Sequence, residues 1–182
     1  MALSNKILPH YTYEDYCRWE GQWELIDGIP YAMSPLPSVK HHHVSGNLYM
    51  LFREALKKSA CNCKVFMPID YKVSEETILQ PDLLITFKNI LDQKFIAEPP
   101  ELVVEILSSS TALKDLNSKF HIYQNNRIPY YLILDPVKNL IEVFELDGDS
   151  YSKRISGTNE SFLFSFKNEC SFEIDFSQVW IL

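Results

Sequence analysis

Apolar residues recur along this chain with two different spacings, and the switches between them mark out its elements. From Ser38 to about Lys58, Val44, Leu48, Leu51, Phe52, Ala55 and Leu56 return at helical spacing, which predicts a long amphipathic helix. Asp82-Leu83-Leu84-Ile85-Thr86-Phe87 and Glu101-Leu102-Val103-Val104-Glu105-Ile106-Leu107 are short, rich in β-branched residues and apolar on both parities, the pattern of strands covered on two faces. A second helix is expected next, capped by Ser110 or Thr111, with Leu113, Leu116, Phe120 and Tyr123 as its stripe and a stop near Asn125-Asn126 ahead of Pro129. Pro129 to Leu134 reads as another buried strand. Strand, helix and strand within about thirty-five residues make a βαβ unit, so strands 101–107 and 129–134 should run parallel with a right-handed crossover.

The flanking segments are patterned more weakly. Thr12 and Asp15 resemble a capping box that opens a short helix to about Glu20. Trp23-Glu24-Leu25-Ile26 and Ile29-Pro30-Tyr31-Ala32-Met33 flank Asp27-Gly28, a hairpin with a type I′ turn. Further strands are expected at Lys64 to Met67 and Asp70 to Val73, a second hairpin at Asn139 to Leu146 and Tyr151 to Ser156 about Asp147-Gly148, and aromatic-rich strands in the tail from Ser161. The whole is an α/β fold: a mixed sheet flanked by helices on both faces, with additional hairpins. At 182 residues, with no repeat, low-complexity stretch or Gly/Ser linker, one domain over 1–182 is the expectation.

Composition changes the picture in three places. A formal charge of −7 argues against a protein that grips nucleic acid by a general basic surface, because Lys and Arg on phosphates supply most non-specific affinity. A cluster of carboxylates awaiting divalent cations is compatible with that balance. The four cysteines, Cys17, Cys61, Cys63 and Cys170, form neither zinc knuckles nor a dense disulfide framework, so reduced thiols in a cytoplasmic protein are expected. No run of apolar residues approaches the roughly 18 to 20 that a membrane span needs.

The chemistry gathers on two acids. Glu105 lies in the middle of an apolar strand, where an unpaired ionised carboxylate would cost at least several kcal/mol, so it must be paired, protonated, metal-bound or at a strand end. Asp82 opens the preceding buried strand behind Pro81, and antiparallel pairing of the two strands would set the acids side by side. Taken alone, each has an ordinary explanation, a salt-bridged strand residue and a strand-entry residue. Together they make a hard-cation site of oxygen ligands suited to Mg²⁺ or Mn²⁺, whereas zinc would favour His or Cys. His41, His42 and His43 cannot jointly hold one ion, since consecutive helical side chains splay by about 100°.

A longer string carries a resemblance: Glu24-Leu25-Ile26-Asp27-Gly28, Met33-Ser34-Pro35, His41, Pro81-Asp82, Pro99 to Ser108 with Glu105 inside it, Ser110-Thr111, Asp115, Lys119, Tyr123 and Tyr130 to Pro136. In order and spacing it is similar to the Uma-type family of restriction endonucleases, within the PD-(D/E)XK, restriction-endonuclease-like superfamily. The resemblance implies that fold and metal-dependent hydrolysis of phosphodiester bonds in DNA, with a homodimer as the expected assembly. It further implies that Asp82, Glu105 and the main-chain carbonyl of Ile106 hold Mg²⁺ or Mn²⁺, and it places Glu24 near the site. One departure stands out: where the superfamily motif has its lysine, two positions after Glu105, this chain has Leu107. Lys119, on the crossover helix, is the candidate to assist the attacking water; its plain alternative is an exposed pair with Asp115, worth about 0.3 to 0.5 kcal/mol. An inactive interaction module of the same fold, or a phosphoesterase acting on RNA, are the competing expectations.

Overall fold

The structure is a computed structural model that describes residues 9–33, 37–108, 115–167 and 169–181. The capping box at Thr12 forms, with the Thr12 N–H and hydroxyl both donating to Asp15 Oδ2, but the helix it opens, α1 (Tyr13–Tyr16), is a single turn rather than one reaching Glu20. Strands β1 (Trp23–Ile26) and β2 (Ile29–Ala32) pair as the hairpin the Asp-Gly turn predicts. Asp27 and Gly28 both take positive φ, 49° and 75°, as a type I′ turn requires.

Helix α2 (Val39–Lys58) begins at Ser38, whose Oγ accepts the His41 N–H, and buries Val44, Leu48, Phe52 and Leu56 along one stripe. Strands β3 (Lys64–Phe66) and β4 (Tyr71–Ser74) lie near their expected places, while β5 (Thr77–Leu79) has no counterpart in the sequence reading. Three residues after Ser74-Glu75-Glu76 are too few to show a period; tertiary pairing with β1 and β4 makes them a strand. Then come β6 (Leu83–Thr86) and β7 (Leu102–Ile106), buried at every position, followed by a π-helical turn (Asp115–Lys119) that runs into α3 (Phe120–Asn125). The expected cap at Ser110 or Thr111 and the stripe residue Leu113 lie outside the described residues. Strands β8 (Tyr130–Asp135), β9 (Leu140–Asp147), β10 (Ser150–Gly157), β11 (Ser161–Ser165) and β12 (Ser171–Asp175) complete the chain, with a 3-10 turn at Phe176–Trp180.

Six strands form the main sheet in the order β10-β9-β8-β7-β6-β3, and β2-β1-β5-β4 form a smaller one. Within the main sheet β7 and β8 are parallel, with Glu105 opposite Ile133, and β6 and β7 are antiparallel, with Leu83 opposite Val104. The sheet is therefore mixed, as expected. One face packs on α2 and the C-terminal strands through Val44, Leu48, Phe52, Val104, Leu132, Phe164 and Phe172. The other packs on α3 and the small sheet through Ile26, Leu79, Leu84, Val103, Tyr123 and Tyr131. Helices thus cover both faces, and each buried Leu, Ile, Val or Phe contributes about 1.5 to 3 kcal/mol relative to exposure.

The cysteines correct the sequence reading. Cys61, just past α2, and Cys170, just before β12, are joined in a disulfide with Cα atoms 5.2 Å apart, while Cys17 and Cys63 are free. Two thiols separated by 109 residues carry no local signal of pairing; the packing of β12 on α2 brings them together. Among the described residues, no helix is long and apolar enough to cross a membrane.

Candidate active site

Alternation along β7 decides which way Glu105 points. Val104 faces the α2 side and Val103 the α3 side, so Glu105 also faces α3 and the small sheet. There it meets two groups one helical turn apart: Lys119 Nζ, 2.7 Å from Glu105 Oε1, and the Tyr123 hydroxyl, which donates to the same oxygen at 2.6 Å. Lys119 also lies 2.8 Å from Glu24 Oε1, so one ammonium serves two carboxylates. Glu24, Glu105 and Lys119 are 0%, 3% and 1% exposed, which makes this a buried ion triad and not a surface pairing. Lys119 is therefore a buried side chain and not the exposed one that its plain alternative supposes. Lys119 is the last residue of the π-helical turn and stands directly before α3.

Glu24 reaches the triad from β1, with the Gln80 N–H donating to its Oε1 at 2.9 Å. The Gln80 side chain is fixed in turn by Asp70, 2.6 Å away, which also accepts from the Tyr16 hydroxyl at 3.0 Å. A chain of hydrogen bonds thus links α1 to the buried carboxylate. Neither Gln80 nor Asp70 has a sequence pattern that marks it, because both act through loop geometry.

Asp82 sits one residue before β6, and the register of that strand, continued by one position, sets it opposite Glu105. Its Oδ2 accepts the Ile106 N–H at 2.7 Å, standing in for the acceptor that a longer β6 would have offered. Its Oδ1 lies 3.2 Å from His41 Nε2. An extended strand presents a residue's N–H and C=O along the same edge, so the Ile106 carbonyl points to the Asp82 side as well. His42 is exposed, and the His43 ring meets the Ile181 carbonyl, so the three histidines diverge as helical geometry demands.

Among the described residues, no three His, Cys, Asp or Glu side chains gather closely enough to form an all-protein cage. Mg²⁺ does not ask for one: it keeps several waters and takes one or two carboxylates plus substrate phosphate. Asp82, Glu105 and the Ile106 carbonyl offer oxygen donors of that kind at the open end of β6 and β7, and they fit a hard divalent ion.

Burial, then the Glu105 and Glu24 charges, push the Tyr123 hydroxyl well above its ordinary value of 10, so it stays a phenol and a donor to Glu105. A raised acid is stabilising while protonated: its contribution is complete below pH 10 and is lost as pH climbs from there toward the folded value. Tyr16, Tyr71 and Tyr151 are raised by burial in the same sense. Melting temperature is therefore expected to fall steadily above pH 10. Tyr123→Phe should cost about 1.5 to 3 kcal/mol at neutral pH, the worth of a hydrogen bond to a charged group, and should flatten that alkaline slope. A variant that melts like wild type across the series would show the hydroxyl to be idle.

Comparisons with known proteins agree with this architecture. The chain is 30% identical over 151 residues to the uncharacterized protein slr1290 of Synechocystis sp., covering 78% of this chain and 77% of that one. Its structure superposes with a TM-score of 0.72 on the crystal structure of a "putative nuclease belonging to DUF820" from Anabaena variabilis, at 14% identity, over 93% of this chain and 97% of that one. That likeness establishes a shared, restriction-endonuclease-like fold. Residues 12–165 match the Uma2 family model, described as "Putative restriction endonuclease", and the chain belongs to that family.

Proposed function

We propose that this chain is a metal-dependent endonuclease that hydrolyses phosphodiester bonds in DNA. The observation that carries the reading is Lys119: its ammonium, delivered from the crossover helix, lies 2.7 Å from Glu105, supplying the cation that Leu107 cannot. Asp82, Glu105 and the Ile106 carbonyl would hold Mg²⁺ or Mn²⁺. When bound, the ion supplies neutralisation of phosphate charge and a more acidic water. Lys119 orients the attacking water and stabilises the charge that builds on the pentavalent phosphorus, a role suited to a preorganised cation in a site closed to solvent. Glu24 holds that ammonium from the opposite side, and Tyr123 fixes the Glu105 carboxylate. The buried charges thus have a use that stability alone would not provide, since buried ion pairs gain little over apolar packing. Two copies related by a two-fold axis would let each strand of a duplex meet one site.

The test is plasmid cleavage by purified wild type, Asp82→Ala, Glu105→Ala and Lys119→Ala, each with Mg²⁺, with Mn²⁺ and with chelator. Cutting should require metal, disappear in the Asp82 and Glu105 variants, and fall by about 100- to 1,000-fold in the Lys119 variant, the usual loss on removing one stabilising donor. Equal activity in wild type and variants would assign the cutting to a contaminant and move the inactive-module reading ahead. Cleavage confined to RNA would replace DNA as the substrate while keeping the site.

A further inference from the structure

We infer that His41 is a positioning residue for Asp82: it holds the carboxylate in the orientation in which the acid can take a divalent ion. The inference rests on the metal reading of the same site. Asp82 needs such a hold because it precedes β6, so its backbone lies outside the paired ladder. Its side chain, at 19% exposed, is more open than that of Glu105 at 4%. Left to itself, a short carboxylate at a strand end samples several rotamers, and each would present its oxygens differently.

Two contacts from different elements remove that freedom. The Ile106 N–H, on β7, engages Oδ2 at 2.7 Å, and His41 Nε2, on α2, engages Oδ1 at 3.2 Å. His41 is itself well fixed. It is 7% exposed, it belongs to the first turn of α2, and its N–H is held by the Ser38 cap at 3.2 Å. The other ionisable and polar neighbours on that turn lie elsewhere: His42 is exposed and His43 faces Ile181 and Asn47. Of the three consecutive histidines, only His41 meets an acid that the site uses.

A carboxylate gripped at both oxygens keeps lone pairs for a cation, since each oxygen can accept two interactions. Groups that hydrogen-bond to metal-binding side chains commonly set metal affinity by about 10- to 100-fold without touching the ion. His41 has that relation to Asp82. It also ties the start of α2 to the start of β6, so the helix that builds one core face sets the position of one acid.

Two substitutions separate this role from packing. His41→Leu fills the space without a donor, and His41→Gln restores an N–H near the position of Nε2. Mn²⁺ binding by titration calorimetry, with thermal melts of the same full-length proteins, gives the readout without relying on cleavage. His41→Leu is expected to weaken Mn²⁺ by about 10- to 100-fold, and His41→Gln to recover most of it. Wild-type affinity in His41→Leu would overturn the inference, as would a folded His41→Gln no better than His41→Leu. Should His41→Leu fail to fold, crystals of His41→Gln decide: Asp82 in its wild-type rotamer supports the role, and a swung Asp82 with undiminished Mn²⁺ affinity overturns it. Failure of the metal reading looks different: wild type itself would give no saturable heat, and the purpose assigned to His41 would go with it.

Discussion

Lys119→Ala is expected to lose metal-dependent cutting and to melt on the order of 10 °C below wild type. The stability loss follows from what the ammonium does in the fold. It stands 2.8 Å from Glu24 and 2.7 Å from Glu105, and all three side chains are buried. Removing it leaves two carboxylates facing one another without the cation between them, and breaking a buried pair in this way costs about 3 to 5 kcal/mol. In a chain of this size each kcal/mol moves the midpoint by about 2 to 4 °C. Lys119→Met separates charge from volume, because it keeps most of the stem. If both variants melt alike, the charge carries the effect; if Met melts with wild type, the triad is not stabilising and the buried lysine is there for chemistry alone. Divalent metal should raise the melting temperature of Lys119→Ala more than that of wild type, since it offers the two acids a substitute cation.

Replacing both Cys61 and Cys170 by serine should cost about 2 to 5 kcal/mol, the second largest effect expected. The bridge spans 109 residues of sequence, and closing a loop that long removes much of the freedom of the unfolded chain. It also clamps the end of α2 to the start of β12, two elements of one core cluster. Heating wild type with reductant should reproduce the effect of the double variant. Cys17→Ser should change stability little, because that thiol is exposed and takes no part in the disulfide. Cys63 is free but buried, and burial raises its thiol to about 11, so it should resist alkylation at pH 8 until the fold opens. Four titratable thiols in denaturant without reductant, rather than two, would refute the bridge.

How much of this was legible beforehand depends on how local each signal is. The Asp27-Gly28 turn could be read from two residues, because only a few side chains tolerate positive φ at both turn positions. Helix α2 could be read from its period, and the parallel pairing of β7 and β8 from the length of what lies between them. The shortness of α1 could not, since its capping box forms while nothing in the pattern says where the turn stops. Strand β5 was too short to show a period, and the bridge between Cys61 and Cys170 had no local sign at all.

The candidate site divides in the same way. That Glu105 needed a special environment followed from the chain itself, because an acid flanked by valine and isoleucine is costly without a partner, whereas Asp82 drew notice only as its neighbour across the sheet. Lys119 and Tyr123, one helical turn apart, were visible as residues on one helix. What they meet was decided only in three dimensions: the small sheet brings Glu24 across to Lys119, and the open end of β6 lets Asp82 meet both His41 and the Ile106 N–H. The sequence by itself determined the elements, their faces and the acids that could not stand alone, since periodicity and desolvation act on each segment separately. The tertiary structure alone decided the partners, because a contact between Glu24, Glu105 and Lys119 depends on how a hairpin, a strand and a crossover helix pack, and no one of those segments encodes the other two.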